Sequence, residues 1–416
     1  MALSKLVTGE KKTIISVTDI IMVTILAYCS SWYILPAQTL QVSPVIVVVG
    51  FTIAVLLNHI SNRSSNLDFA VYVTILLVAL VLSILYYTNT YSNDLEKAIG
   101  IITQTFVNFA PSLIPIILCY RSSKVQKLYV LCITVFIVIV LVNTQIQLLV
   151  EPRIVRILAQ GDVALDYYRL RNIGGFGFCY GSSFILIWAL GALLLLNITR
   201  KTKWLLFLII ILLLLFEIQA GYFTAIALVF LAFMLLLYQR KSPISILTPI
   251  LIIFLLFLTL YLFSDNVGTT SNAFFSKVIE ISNMLFNKEF GVSTVARFEV
   301  YSLSWNAFLQ NPILGTNIYN AGDSIIGNHS SLLDTLAKVG IVGAFAYYFI
   351  FWMIRKSTKS FDIDTSSRKI LKVLLICYLC AFALNPVLTS HEIGFYVFAF
   401  APSLCLILNK SLRKAV

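Results

Sequence analysis

Three histidines occur in the 416 residues, and one of them, His329, stands where a polar segment runs into an apolar helix. The stretch 297–351 reads RFEVYSLSWNAFLQNPILGTNIYNAGDSIIGNHSSLLDTLAKVGIVGAFAYYFIF, so Arg297 opens the segment that His329 closes. A histidine, whose ordinary pKa is about 6.5, suits a general base at neutral pH. The planar fork of an arginine matches phosphate oxygens in a way that lysine does not. At a membrane surface, such a pair suits chemistry on a lipid-linked substrate.

The residues after His329 say where it sits. Ser331-Leu-Leu-Asp334 has capping-box spacing, with Ser331 able to accept a free N–H and Asp334 to reach back toward the cap. His329 then stands just ahead of a helix N-terminus, where free N–H groups and the dipole favour anions. Asp334 and Lys338 are four apart with the acid first, so they meet on one helix face. Lys338 lies about 10 Å along the helix from Ser331. An ionisable group at that depth faces protein or water and marks either a functional pathway or an orienting salt bridge. His391, beside Glu392 in the turn TSHE, competes with His329 for a catalytic role, whereas His59 ends an apolar stretch.

A second polar segment, 151–174, holds Arg153, Arg156, Arg169 and Arg171. Glu151, Asp162 and Asp166 are available to pair with Arg153 and Arg156. Arg171 differs, because Gly174, Gly175 and Gly177 follow it and let the backbone approach a ligand or a neighbouring helix closely.

The elements that must position these groups are membrane helices. Apolar residues make up 59% of the chain and charged residues 12%, about half the charge of an ordinary soluble domain. Twelve apolar runs are long enough to span, near 14–34, 43–60, 69–88, 99–119, 128–150, 175–197, 204–218, 223–238, 244–264, 333–354, 370–387 and 393–409. The net charge of +12 follows topology, not nucleic-acid binding. With the N-terminus inside, 21 of the 30 Lys and Arg fall in cytoplasmic segments and 8 in outer ones, Lys338 lying within a span. Both termini are thus expected in the cytoplasm, and the first span reads as a retained signal anchor. The seven cysteines fall in or beside spans, and Cys377-x-x-Cys380 reads as core packing. Residues 1–416 are expected to form a single integral membrane domain with outer loops at 151–174 and 265–331. The larger loop contains an amphipathic helix over 272–288 and a second from about Thr294 to Asn311-Pro312, with Phe298, Tyr301, Trp305 and Phe308 on its apolar face. No zinc-protease motif or P-loop is present.

The order of these elements resembles the O-antigen ligase and polymerase superfamily of bacterial membrane glycosyltransferases. The resemblance rests on RNIGGFG at the Gly-rich helix start, on RFEVYSLSWNAFLQNPILGTN, and on GNHSSLLDTLAKVGIVG at the next span. It covers about sixty residues by motif and the remainder by topology. Ser330 stands where the family often has Asn, and EIQAGYFT lacks the family's arginine near span seven. The resemblance implies an all-α, GT-C-like polytopic fold. The activity implied is transfer of a glycan from undecaprenyl diphosphate without a metal or other cofactor, at the outer face of the bacterial cytoplasmic (inner) membrane. It places Arg297 and Arg171 on the diphosphate, His329 as base or acceptor orienter, and Arg169, Asp334 and Lys338 among the substrate-binding groups. Partners implied are the lipid-linked glycan, the bilayer, a chain-length regulator and a flippase. Of the family's activities, repeat-unit polymerase is expected ahead of ligase because it also serves capsule and exopolysaccharide synthesis. A flippase for the lipid-linked unit is the alternative from another class.

Overall fold

Serine, threonine or aspartate precedes five of the helices and accepts a first-turn N–H, which would otherwise stay unpaired at the helix end. The caps are Ser16, Ser122, Thr199, Ser330 and Asp364. The computed structural model describes residues 15–35, 43–61, 66–89, 95–160, 172–240, 280, 292–316, 326–361 and 363–414. Every regular element among them is helical. In chain order these are Val17–Ile34, Pro44–Ser61, Leu67–Asn89, Leu95–Phe109, Leu113–Cys119, Ser123–Val150, Ile154–Gln160, Phe176–Leu195, Arg200–Ala220 and Phe223–Gln239. After them come Val292–Gln310, Ser331–Ser360, Thr365–Leu384 and a run from His391 to Lys414.

Among the described residues, nine helical stretches are long and apolar enough to cross a membrane. Phe223–Gln239 and Thr365–Leu384 coincide with two more of the expected spans. The expected span 244–264 and, but for Glu280, the expected amphipathic helix 272–288 lie outside the described residues. Helix 123–150 turns Leu131, Val135, Val138, Val142, Ile146 and Leu149 outward, a continuous apolar stripe at three- and four-residue spacing. Lipid, not water, is the solvent for such a surface, and the chain is a polytopic helical membrane protein. Helix 176–195 lies at the centre, packed against 200–220, 223–239, 365–384 and the start of the last helical run.

The span expected over 333–354 is not one continuous helix. Gly340 breaks it with φ 62°, and the turn Pro312–Thr316 inserts at the break. Ile341 N–H donates to the Pro312 carbonyl at 2.9 Å, and Val342 N–H to Ile313 at 3.2 Å. Thr316 N–H in turn donates to the Ala337 carbonyl at 2.8 Å. Backbone groups freed inside an apolar bundle need such partners, which is why the break and the turn occur together. Gly315, also left-handed at φ 77°, faces the Lys338 carbonyl so closely that a Cβ would lie 2.4 Å from it. A Cβ on Gly340 would lie 2.3 Å from the Ile313 oxygen.

At one end of the bundle a buried polar network joins the first three helices to the turn before helix 123–150. Arg121 pairs with Asp19 at 3.2 Å and donates to Asn58 at 2.8 Å, and Asn58 donates to Asp68 at 2.7 Å. Asn58 and Asp68 are fully buried. Removing the cation leaves buried acceptors uncompensated. Arg121→Met is expected to cost about 3 kcal/mol of stability, read as a lowered thermal midpoint of the protein in detergent.

Candidate functional site

The opposite end of helix 17–34, about 20 Å from Asp19, borders a cavity of about 650 Å³. Six parts of the chain meet there: Trp32 and its neighbours, Leu158, the glycine-rich start of helix 176–195, Arg297 and Tyr301, His329, and the turn 384–392. The structure therefore brings Arg297 and His329 together, and adds His391 and Glu392.

Each group is held by an identifiable contact. Arg297 is exposed on helix 292–310, and one turn later Tyr301 donates its hydroxyl to the Leu384 carbonyl at 2.8 Å. Burial raises the pKa of the Tyr301 phenol, while the nearby Arg297 cation opposes the rise. The buried face of this helix is centred on Ser304, Ala307 and Phe308, whereas Phe298 and Trp305 are exposed. The apolar face expected from spacing is therefore rotated. Hydrogen bonding is the reason: Ser304 donates to Asp334 at 2.6 Å and accepts the Gly327 N–H at 2.9 Å.

His329 follows Asn328, whose left-handed φ of 53° reverses the chain ahead of the helix. The N-cap is Ser330, one residue earlier than the spacing suggests, and its hydroxyl accepts from Leu333 N–H at 3.2 Å. Asp334 completes the cap by accepting the Ser330 N–H at 3.2 Å. Ser331 is bound instead to the neighbouring turn, donating its N–H to the Asn385 carbonyl and accepting from Leu388 N–H at 2.9 Å. Ser330 also donates to the Ala383 carbonyl at 2.6 Å. His329, itself exposed, is thus presented from an anchored helix start. Asp334 and Lys338 do not line the cavity. Asp334 serves the cap and Ser304, while Lys338 donates to Asn328 at 3.0 Å, so both brace the segment that carries His329.

Across the cavity His391 stacks on Trp32, with ring centroids 4.2 Å apart, and its Nδ1 lies 3.4 Å from the Gln104 amide nitrogen. Glu392 lies against Gly177, where a Cβ would meet its carboxylate at 2.3 Å. One turn along the same face, Gly181 would likewise meet the ring of Tyr396. At Gly177, as at Gly181 beyond the motif, the close approach is thus to a neighbouring helix. Gly174 N–H donates to Thr144 at 2.7 Å.

Arg169 and Arg171 lie outside the described residues. Arg156 takes none of the carboxylate pairing expected of it among the described residues. It donates to the Gly221 carbonyl at 2.6 Å and stands over the Tyr222 ring at 5.9 Å. Burial lowers its pKa, and the neighbouring cations Arg153 and Arg297 add to the lowering. Arg156 is thus half-buried and does not line the cavity. Sequence reasoning missed Trp32 and Ser304 altogether and treated Glu392 only as a companion of His391.

No protein-family model matches the chain, and no curated protein matches it.

The serine joint has a direct test. Ser304→Ala leaves Asp334 and the Gly327 N–H short of a partner, at an expected cost of about 1–3 kcal/mol. Hydrogen exchange should quicken at residues 326–330 and stay unchanged in helix 17–34.

Proposed function

We propose that the protein is a repeat-unit polymerase. In this reading it joins undecaprenyl-diphosphate-linked oligosaccharides into an O-antigen, capsular or exopolysaccharide chain. The observation that carries the reading is the convergence of Arg297 and His329 on one cavity at an end of a membrane helix bundle. A cation and a base beside a bilayer match a substrate that is a lipid diphosphate at one end and a sugar at the other. The topology that goes with this reading has twelve spans in a GT-C-like arrangement, both termini in the cytoplasm and the cavity facing outward. A chain-length regulator and a flippase would be its partners.

The acceptor sugar hydroxyl attacks the anomeric carbon of the donor glycan, and the bond from that carbon to the diphosphate oxygen breaks. The hydroxyl proton passes to His329, and lipid diphosphate leaves as the anion. Arg297 stabilises the charge gathering on the diphosphate. Diphosphate is already a good leaving group, so positioning and charge stabilisation are the protein's main tasks. Arg171 and Arg169 join this reading as further substrate-binding groups, whereas Lys338 and Asp334 position the segment that holds His329.

Arg297→Lys keeps the charge and loses the fork. It is expected to slow polymerisation about a hundredfold, and His329→Ala by a similar factor, measured as product length from the reconstituted protein given lipid-linked repeats. Full polymer length from both variants would refute the assignment. Transfer of finished glycan to a lipid A core acceptor without lengthening would identify a ligase. The helix broken at Gly340 favours one reading from another class, since transporters build substrate paths from discontinuous helices. Movement of the lipid-linked unit across the bilayer without lengthening would establish that reading.

A further inference from the structure

The far end of helix 331–360 borders a second cavity, of about 360 Å³, shared with the start of helix 365–384 and residues 397–402. Arg355, Lys359, Arg368 and Lys372 line it, all of them exposed. Within each helix the two cations are four residues apart, so they share a face, and the two faces meet at the cavity. Like charges at that spacing destabilise a helix. None of the four makes an ion pair with a carboxylate among the described residues. Among the described residues Arg368 reaches only the Phe361 carbonyl, at 3.4 Å, while the Asp364 side chain accepts the Ser367 N–H.

Beneath the charges the cavity is apolar. Leu375 lies about 10 Å along its helix from Arg368, and Val397, Phe398 and Pro402 complete the floor. Pro402 has no N–H to give the Phe398 carbonyl, and the helix widens into a π turn over Tyr396–Phe400. That irregularity sets Val397 and Phe398 at the floor. A basic mouth over an apolar floor, in a protein bathed in lipid, fits a phosphate carrying an acyl chain.

We propose that this cavity binds an anionic phospholipid of the surrounding bilayer, its phosphate among Arg355, Lys359, Arg368 and Lys372 and an acyl chain along the floor. The four charges alone would suit inorganic phosphate. The apolar depth below them selects a lipid. Lys356 and Lys369 supply the control, because they belong to the same end of the same helices and do not line the cavity. Lys356 instead stands over the Trp352 ring at 5.2 Å.

The test uses the full chain in neutral detergent, titrated with short-chain phosphatidylglycerol, short-chain phosphatidylcholine and inorganic phosphate, with bound mass read by native mass spectrometry. Phosphatidylglycerol should bind at least about tenfold better than phosphatidylcholine. R355Q/R368Q should lose that preference, K356Q/K369Q should keep it, and R355K/R368K should retain most of it. Phosphatidylglycerol preference surviving in R355Q/R368Q, or lost equally in K356Q/K369Q, overturns the proposal. So does displacement of the lipid by inorganic phosphate at equal concentration, since the acyl chain would then contribute nothing.

Discussion

The candidate site depends on how the backbone of one turn is satisfied. Between helix 365–384 and the last helical run the chain loses its regular ladder, and its polar groups would be costly next to lipid. Tyr301 donates to Leu384, Ser330 to Ala383 and Ser331 to Asn385, while Leu388 donates back to Ser331. Tyr180 adds a bond to the Asn385 side chain at 3.2 Å. These bonds tie three separate helices to the turn. They also bring the residue before Ser330 to the same cavity as the first residue of the last run. His329 and His391 face one cavity because the turn between them had to be paired.

The same constraint operates nine residues along helix 331–360. A left-handed glycine frees backbone groups there, and a turn 24 to 28 residues upstream arrives with the carbonyls and the N–H that match them. Helix 292–310 is thus joined to helix 331–360 twice, by Ser304 near the helix start and by Pro312–Thr316 at the break. A satellite cluster of Ala307, Phe308, Ile326 and Ala337 fills the space between these joints. Polar pairing thus joins the two helices on either side of that packed cluster.

Local patterns revealed much of this in advance. Apolar runs marked the helices, proline ended helix 292–310 where expected, and the glycines of RNIGGFG announced a close approach. The arginine and histidine of the candidate site were identifiable from residue type and scarcity alone. What stayed hidden was non-local. Ser330 and Ser331 are equally competent caps in sequence, and only the bonds to residues 383–388 decide between them. Ser304 is a lone serine on an amphipathic helix, which carries no local signal. Trp32 and His391 lie near opposite ends of the chain, and their stacking depends on how helix 17–34 packs against the last helical run. Gly340 reads as one more small residue in VGIVG until its partner turn is known.

Gly315 and Gly340 press backbone against backbone across that break. A side chain added at either position would push the turn and the helix apart. Once they are apart, the space at the other position is open as well. The first substitution therefore carries most of the clash, while each position keeps its own cost of holding a side chain at positive φ, so their effects add only in part. For sequence change these two glycines are coupled through one contact although 25 positions apart, and each is also held by its own backbone conformation.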